Sequence, residues 1–218
     1  MEIIGMDNLS KSFGHLKVLD CISLTYEQGK IYGLAGENGA GKTTLFRCLT
    51  GILPYEGTIR KGKEVKVGYL PAECYFYSLI TGREYIEFCL KAYGEQLSRT
   101  RLDEINEEVF HLPLDRYASA YSTGMKKKLA FLALYLQHPD VYILDEPFNG
   151  VDLKGCILLK NLIRRIKEQQ KTVIVSSHQL ASLHELCDVI HYLCEGKIIK
   201  EFTSEPIEEI ERFILESV

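Results

Sequence analysis

Apolar and polar positions change rhythm along the chain, and each rhythm predicts a different architecture. Residues 3–35 hold short β-type segments, Ile3 to Ser10, Ile22 to Tyr26 and Ile31 to Ala35, parted by turn signals at Phe13-Gly14 and Gln28-Gly29. Two more extended segments are predicted near Gly57–Arg60 and Lys66–Leu70. From Thr81 to Gln137 the spacing becomes helical: Tyr85, Ile86, Phe88, Cys89 and Ala92 mark one amphipathic face, and Leu102, Ile105, Val109 and Phe110 another. The chain then returns to alternation, with a strand at Val141–Leu144, a helix over Leu153–Gln169 and a strand at Val173–Ser176. A short helix near Leu183 and a strand at Val189–Cys194 follow; a hairpin turns at Glu195-Gly196, and Pro206 opens a last helix. With no internal repeat and no low-complexity linker, the helical stretch reads as a lobe set into an α/β core.

The chemistry concentrates where that alternation begins. Gly36-Glu37-Asn38-Gly39-Ala40-Gly41-Lys42-Thr43-Thr44 follows the apolar strand Ile31–Ala35 and precedes the helical Leu45-Phe46-Arg47-Cys48-Leu49. A strand, a glycine loop ending in Gly-Lys-Thr and a helix are the parts of a phosphate-binding loop. Its glycines let successive backbone N–H groups turn inward on a phosphate, and the helix start adds the positive end of its dipole. Lys42 supplies a full charge for the terminal phosphates, and Thr43 is left to hold Mg²⁺. Downstream, Val141-Tyr142-Ile143-Leu144-Asp145-Glu146 is a buried strand ending in two carboxylates. Asp145 is placed to hold Mg²⁺ beside Thr43, and Glu146 to accept a proton from, or orient, an attacking water.

Composition narrows the partners. At 218 residues and 46% hydrophobic content the chain buries a full core, as one domain with a subdomain. A net charge of -4 provides no global field for nucleic acid, and none is expected as a partner. The local run Lys126-Lys127-Lys128 reads as a solvated helix face. Seven cysteines without a C-x-x-C pair read as reduced thiols, Cys187 and Cys194 as core. Met1-Glu2-Ile3-Ile4 lacks the regions of a signal peptide, and no apolar run approaches the ~18 residues of a membrane span, so a cytoplasmic location is expected.

These motifs resemble, over essentially the whole length, the nucleotide-binding domain of ATP-binding cassette (ABC) proteins. Tyr121-Ser122-Thr123-Gly124-Met125 is similar to the family's signature sequence, in a form found in exporter-type bacterial subunits. The resemblance implies that Ser122 and Gly124, at a helix start, meet the γ-phosphate of ATP held by a second copy. It makes Asn149-Gly150-Val151-Asp152 the loop that crosses the dimer interface, with Asp152 at the nucleotide, and His178 the histidine that reaches the γ-phosphate. Phe13 matches the aromatic that stacks on adenine, and Lys128 stands where an arginine is usual. The implied fold class is α/β: a P-loop NTPase core over residues 1–71 and 138–218, with an N-terminal antiparallel β subdomain and a helical subdomain, residues 72–137, that carries the signature. The implied function is that of an ATPase subunit, using ATP and Mg²⁺, that powers a transporter through ATP-driven dimerisation, as a homodimer or heterodimer. Separately encoded transmembrane permease subunits would hold it peripherally on the cytoplasmic face of the cell membrane. The rival expectation is a soluble ABC ATPase acting as a nucleotide-gated clamp on a ribosome or DNA. Such proteins usually carry two cassettes or a long coiled-coil insert, and this sequence has neither. One departure stands out: Ala72, in Gly68-Tyr69-Leu70-Pro71-Ala72-Glu73, occupies the position of a usual glutamine and offers no oxygen to metal or water. Strand alternation predicts that Glu73 points to the opposite face and does not replace it easily.

Overall fold

The computed structural model describes residues 1–217. The chain opens with β1 (Glu2–Phe13) and β2 (Leu16–Glu27), which pair antiparallel, and β4 (Glu56–Lys61) joins β1 to complete a three-stranded sheet in the order β2-β1-β4. Between them come β3 (Ile31–Ala35) and α1 (Lys42–Leu49). A second sheet has the order β5-β6-β7-β3-β8-β9, from β5 (Val67–Leu70), β6 (Val141–Leu144), β7 (Thr172–Ser177), β8 (Val189–Cys194) and β9 (Lys197–Phe202). Its strands are parallel except β9, which returns antiparallel to β8 through Glu195-Gly196. Both turn residues have positive φ, +46° and +76°, the backbone that a two-residue hairpin of this hand demands.

The inner strands of the six-stranded sheet, β3, β6, β7 and β8, are buried on both faces, which is why they read as continuous apolar runs. Side chains alternate between two cores. In β6, Val141 and Ile143 join one cluster and Tyr142 and Leu144 the other; in β3, Tyr32 and Leu34 oppose Ile31 and Ala35. The first cluster takes in α1 through Leu45, Phe46 and Leu49, and the antiparallel sheet through Ile4, Met6 and Leu9. The second takes in α2 (Gly82–Ala92), α3 (Arg99–Val109), α4 (Thr123–Tyr135) and α5 (Leu153–Glu168). The chain closes with α6 (Leu180–Leu186) and α7 (Ile207–Glu216), the latter following Pro206 as its N-cap. Among the described residues no helix is long and apolar enough to cross a membrane.

The helical stretch departs from the sequence reading at two positions of α2. Phe88 is 62% exposed and Ala92 is also exposed, whereas Ile86 and Leu90 are buried. Tyr85, Ile86 and Cys89 of the expected face pack on the core and Leu90 joins them one turn after Ile86, so the face is the expected one without Phe88 and Ala92. The capping box between Thr81 and Glu84 fixes the start of α2. α4 is the pillar of this half: Leu129 through Leu136 are all buried, as in a helix enclosed on every side. It packs against α2, β5 and α5, joining helices and sheet through one apolar cluster. The seven cysteines are free, Cys187 and Cys194 partly buried.

Gly68 permits the approach of α4 to β5. A Cβ there would stand 2.4 Å from Leu134 Cδ1 and 2.9 Å from Pro139 Cγ. Gly68→Ala is therefore expected to destabilise the protein by about 1–3 kcal/mol through overpacking. Urea unfolding of the nucleotide-free protein measures this; an unchanged midpoint would show that α4 yields at no cost.

Candidate active site

Three parallel strands deliver their C-terminal ends to one place. β3 runs into the glycine loop, β6 into Asp145 and Glu146, and β7 ends at Ser177, just before His178. Sheets of this kind take ligands outside the carboxyl ends of their strands. A pocket of 430 Å³ lies there, walled by most of the loop from Glu37 to Thr44 and, facing it, by Ala72, Glu73, Glu146 and Asn149; Val18 also lines it.

The loop's shape depends on glycine at particular points. Gly39 and Gly41 have φ of +88° and +111°, a region L side chains rarely adopt, and a Cβ on Gly36 would meet the Leu193 carbonyl oxygen at 2.4 Å. Gly41 caps α1 without a side chain, leaving the first N–H groups of the helix open to an anion. Lys42 is buried, and its Nζ donates to the main-chain oxygens of Gly36 at 2.7 Å and Glu37 at 3.0 Å. The ammonium thus lies inside the loop it serves, 3.6 Å from Glu146 Oε1.

Asp145 is 0% exposed and meets three hydroxyls. Thr43 Oγ1 donates to its Oδ2 at 2.7 Å and Tyr69 Oη to the same oxygen at 3.2 Å, while Ser176 Oγ donates to Oδ1 at 2.8 Å. Ser176 Oγ also accepts the Glu146 N–H at 3.0 Å. Burial, and then the charge of Asp145, push the Tyr69 phenol up to about 12, so it stays a donor. Among the described residues no cluster of three or more His, Cys, Asp or Glu side chains could hold a metal unaided. The Thr43 hydroxyl and Asp145 carboxylate are hard oxygens lying together, which fits Mg²⁺ completed by phosphate and water.

Glu146 takes the left-handed conformation, φ +47°, at the tip of β6. Its Oε2 meets His178 Nδ1 at 2.9 Å and the His178 N–H at 3.4 Å, whereas its Oε1 is buried without a hydrogen-bond partner. Its main-chain oxygen accepts from Lys127 Nζ. The Lys126–Lys128 run is therefore not a solvated face: Lys127 is 3% exposed, and Lys126 and Lys128 are half-buried. Burial pulls the Lys127 pKa below the ordinary lysine value, with Cys74, Glu146 and Asp145 acting in the opposite direction. Tyr69, Ser176 and Lys127 were not singled out from sequence. Only the full apolar run after Lys128 signalled that a lysine on this helix would be buried.

The other expected residues stand outside the pocket walls. Ser122 caps α4, its Oγ accepting the Met125 N–H at 3.2 Å, and is exposed. The start of α4 packs on the turn before α5: a Cβ on Gly124 would come within 3.2 Å of the Gly150 oxygen. Lys128 Nζ lies 3.9 Å from Asp152 Oδ1 across the same junction. Phe13, 48% exposed, sits at the tip of the β1–β2 hairpin with Lys11 Nζ 5.0 Å from its ring centroid. Ala72 and Glu73, expected on opposite faces, both line the pocket, because the chain bends there and leaves extended geometry.

A glycine loop on a parallel sheet, facing paired carboxylates, with a second anion-ready helix start set apart, defines an ATP-binding cassette. The sequence matches the ABC transporter family over residues 19–149, and the chain belongs to that family. It is 38% identical over 205 residues to an ABC transporter ATP-binding protein of Methanocaldococcus jannaschii, covering 90% of this chain and 76% of that protein. It is 34% identical to the bacitracin transport ATP-binding protein BcrA of Enterococcus faecalis, covering 91% of this chain and 68% of BcrA. A solved ATP-binding subunit of an ABC transporter superposes with a TM-score of 0.84 at 25% identity, over 97% of this chain and 93% of the other. The chain is an ATP-binding transporter subunit with ATPase activity.

The Asp145 network makes a ranked prediction. Ser176→Ala removes a donor to a buried charge and orphans the Glu146 N–H, so it should cost about 1.5–3 kcal/mol; Tyr69→Phe breaks one longer bond and should cost about 1 kcal/mol. Urea midpoints of the nucleotide-free variants test the order, and a Tyr69→Phe protein less stable than Ser176→Ala refutes this account of Asp145.

Proposed function

We propose that this chain uses ATP with Mg²⁺ at a site built from two copies, and that it drives a transporter whose membrane-spanning subunits are separate chains. The observation that carries the reading is the buried, unpartnered Oε1 of Glu146 on the wall of the pocket beside Lys42. A carboxylate oxygen withdrawn from water without a donor is costly, and a water molecule between it and the γ-phosphate would satisfy it.

The roles follow from position. Residues 36–44 wrap the phosphates with backbone N–H groups, Gly36 and Ala40 shaping the turn and Thr44 extending the helix start. Lys42 exchanges its two carbonyl partners for phosphate oxygens. Thr43 and Asp145 are the residues that would hold Mg²⁺, which when bound neutralises charge on the β- and γ-phosphate oxygens. Glu146 orients the attacking water and takes its proton, and His178 fixes the carboxylate through Oε2. Phe13, projecting from the β1–β2 turn, would stack on adenine. Glu73, on the pocket wall beside Ala72, is the oxygen-bearing group nearest the position where a glutamine is usual.

Ser122, Gly124 and Asp152 lie outside this chain's own pocket, which supports their service to the nucleotide of a second copy. The exposed start of α4 offers that nucleotide N–H groups now capped by Ser122. The family's transport role supports attachment to spanning subunits on the cytoplasmic face. The name of BcrA supports transport as the output, with cargo met by the spanning subunits.

Division of labour is tested by two variants. Lys42→Ala should lose ATP affinity, while Glu146→Gln should bind ATP normally and hydrolyse it at least about a hundredfold more slowly. A Glu146→Gln protein releasing phosphate at the parental rate removes Glu146 from the chemistry.

The shared site is tested by mixing. Lys42→Ala and Ser122→Arg proteins should each be inactive alone, and their heterodimer should regain one intact site. Demonstrated heterodimers without phosphate release above either parent variant would refute the two-copy site.

A further inference from the structure

Lys127 poses an energetic question that the phosphate chemistry leaves open. An ammonium 3% exposed forfeits most of its hydration, and among the described residues no carboxylate lies within ion-pair distance of it. Its hydrogen-bond partner is the main-chain oxygen of Glu146, across the junction between α4 and the end of β6. That oxygen also accepts the Asn149 N–H at 3.3 Å, which closes the turn following Glu146.

The residue so held is itself strained. At φ +47° Glu146 occupies a region costing an ordinary L residue roughly 1–2 kcal/mol. This backbone sends three groups in three directions. The N–H goes to Ser176, the carbonyl to Lys127, and the carboxylate to His178 through Oε2, with Oε1 3.6 Å from Lys42 Nζ and without a hydrogen-bond partner. A rotation of the Glu146 backbone out of this conformation would break the Lys127 contact and turn the carboxylate from the pocket. A charged donor is the strong form of such a hold, because a hydrogen bond to an ionised group exceeds a neutral one.

We propose that Lys127 is a positioning residue for hydrolysis: from α4, its ammonium pins the Glu146 peptide in the left-handed turn that aims the free carboxylate oxygen at the nucleotide pocket. The inference rests on the assignment of Glu146 to the attacking water. It adds a mechanical link, because α4 begins at Ser122, the residue proposed to meet the second copy's nucleotide. One rigid helix then touches the opposite nucleotide at its start and this chain's own Glu146 little more than one turn later.

Lys127→Met, of similar length but without a donor, tests the role. Expected are a kcat at least about tenfold lower, with KM and ATP affinity within about threefold. Thermal stability should hold or rise, since a buried charge has been removed. In the Glu146→Gln background the same substitution should change the residual rate by less than about twofold, because the group it positions is gone. A merely structural lysine predicts the opposite pattern: a lower melting temperature, KM and kcat moving together, and the same factor in both backgrounds. A Lys127→Met protein with parental kcat, while Glu146→Gln is impaired, overturns the inference and leaves the Glu146 assignment standing. Parental turnover in Glu146→Gln alone overturns the assignment beneath it. Should Lys127→Met fail to fold, Lys127→Leu, likewise without a donor, is read on the same terms: lower kcat at unchanged KM supports the role, and any other outcome overturns it.

Discussion

A carboxylate with no access to water must be met by donors, and the arrangement of this molecule turns on how that is done for Asp145. Its three hydroxyls come from three neighbouring elements: Thr43 from α1 behind β3, Tyr69 from β5 and Ser176 from β7. Four members of the parallel sheet are thereby tied at their carboxyl ends, where the pocket opens. The register agrees, with Tyr69 opposite Ile143 and Val175 opposite Leu144, so the two strand-borne hydroxyls arrive within one or two residues of Asp145. The same donors that satisfy the buried charge also place the oxygens suited to a divalent cation. On the proposed reading, stability and cofactor geometry are one arrangement here.

Glu146, one residue on, is treated in the opposite way. One of its carboxylate oxygens is engaged by His178 and the other is left without a donor. The difference between adjacent acids follows from the backbone. Asp145 continues the strand and points into the sheet's own hydroxyls, whereas Glu146 turns left-handed and points toward the glycine loop. One acid is satisfied within the fold, and the other keeps one oxygen without a hydrogen-bond partner.

What was legible in the sequence is what the chain writes contiguously. The glycine loop, the strand Val141–Leu144 and the β/α alternation after residue 138 each occupy one uninterrupted stretch with a single periodicity, and β3, β6 and β8 fall on their expected residues. Ser122, Gly124, Asp152 and His178 were visible only through family resemblance, since a capping serine and a lone histidine carry no local mark of function. Tyr69, Ser176 and Lys127 were missed because their meaning depends on neighbours 76, 31 and 19 residues away. The lysine run misled because three charges suggest solvent, while the eight apolar residues after them enclose the helix. The Ala72–Glu73 bend could not be read from alternation, which holds only while a strand persists.

The left-handed backbone at Glu146 also places a limit on heat adaptation. Glycine there would relieve roughly 1–2 kcal/mol of backbone strain, and it would delete the carboxylate. On the role proposed for Glu146, selection for a higher melting temperature and selection for turnover oppose each other at this one codon. A thermophilic version of this chain would have to find its gain elsewhere. One such place is the outer surface of α5 and α6, where Lys160 and Arg164 already share Glu185 and further charges would extend an ion-pair network.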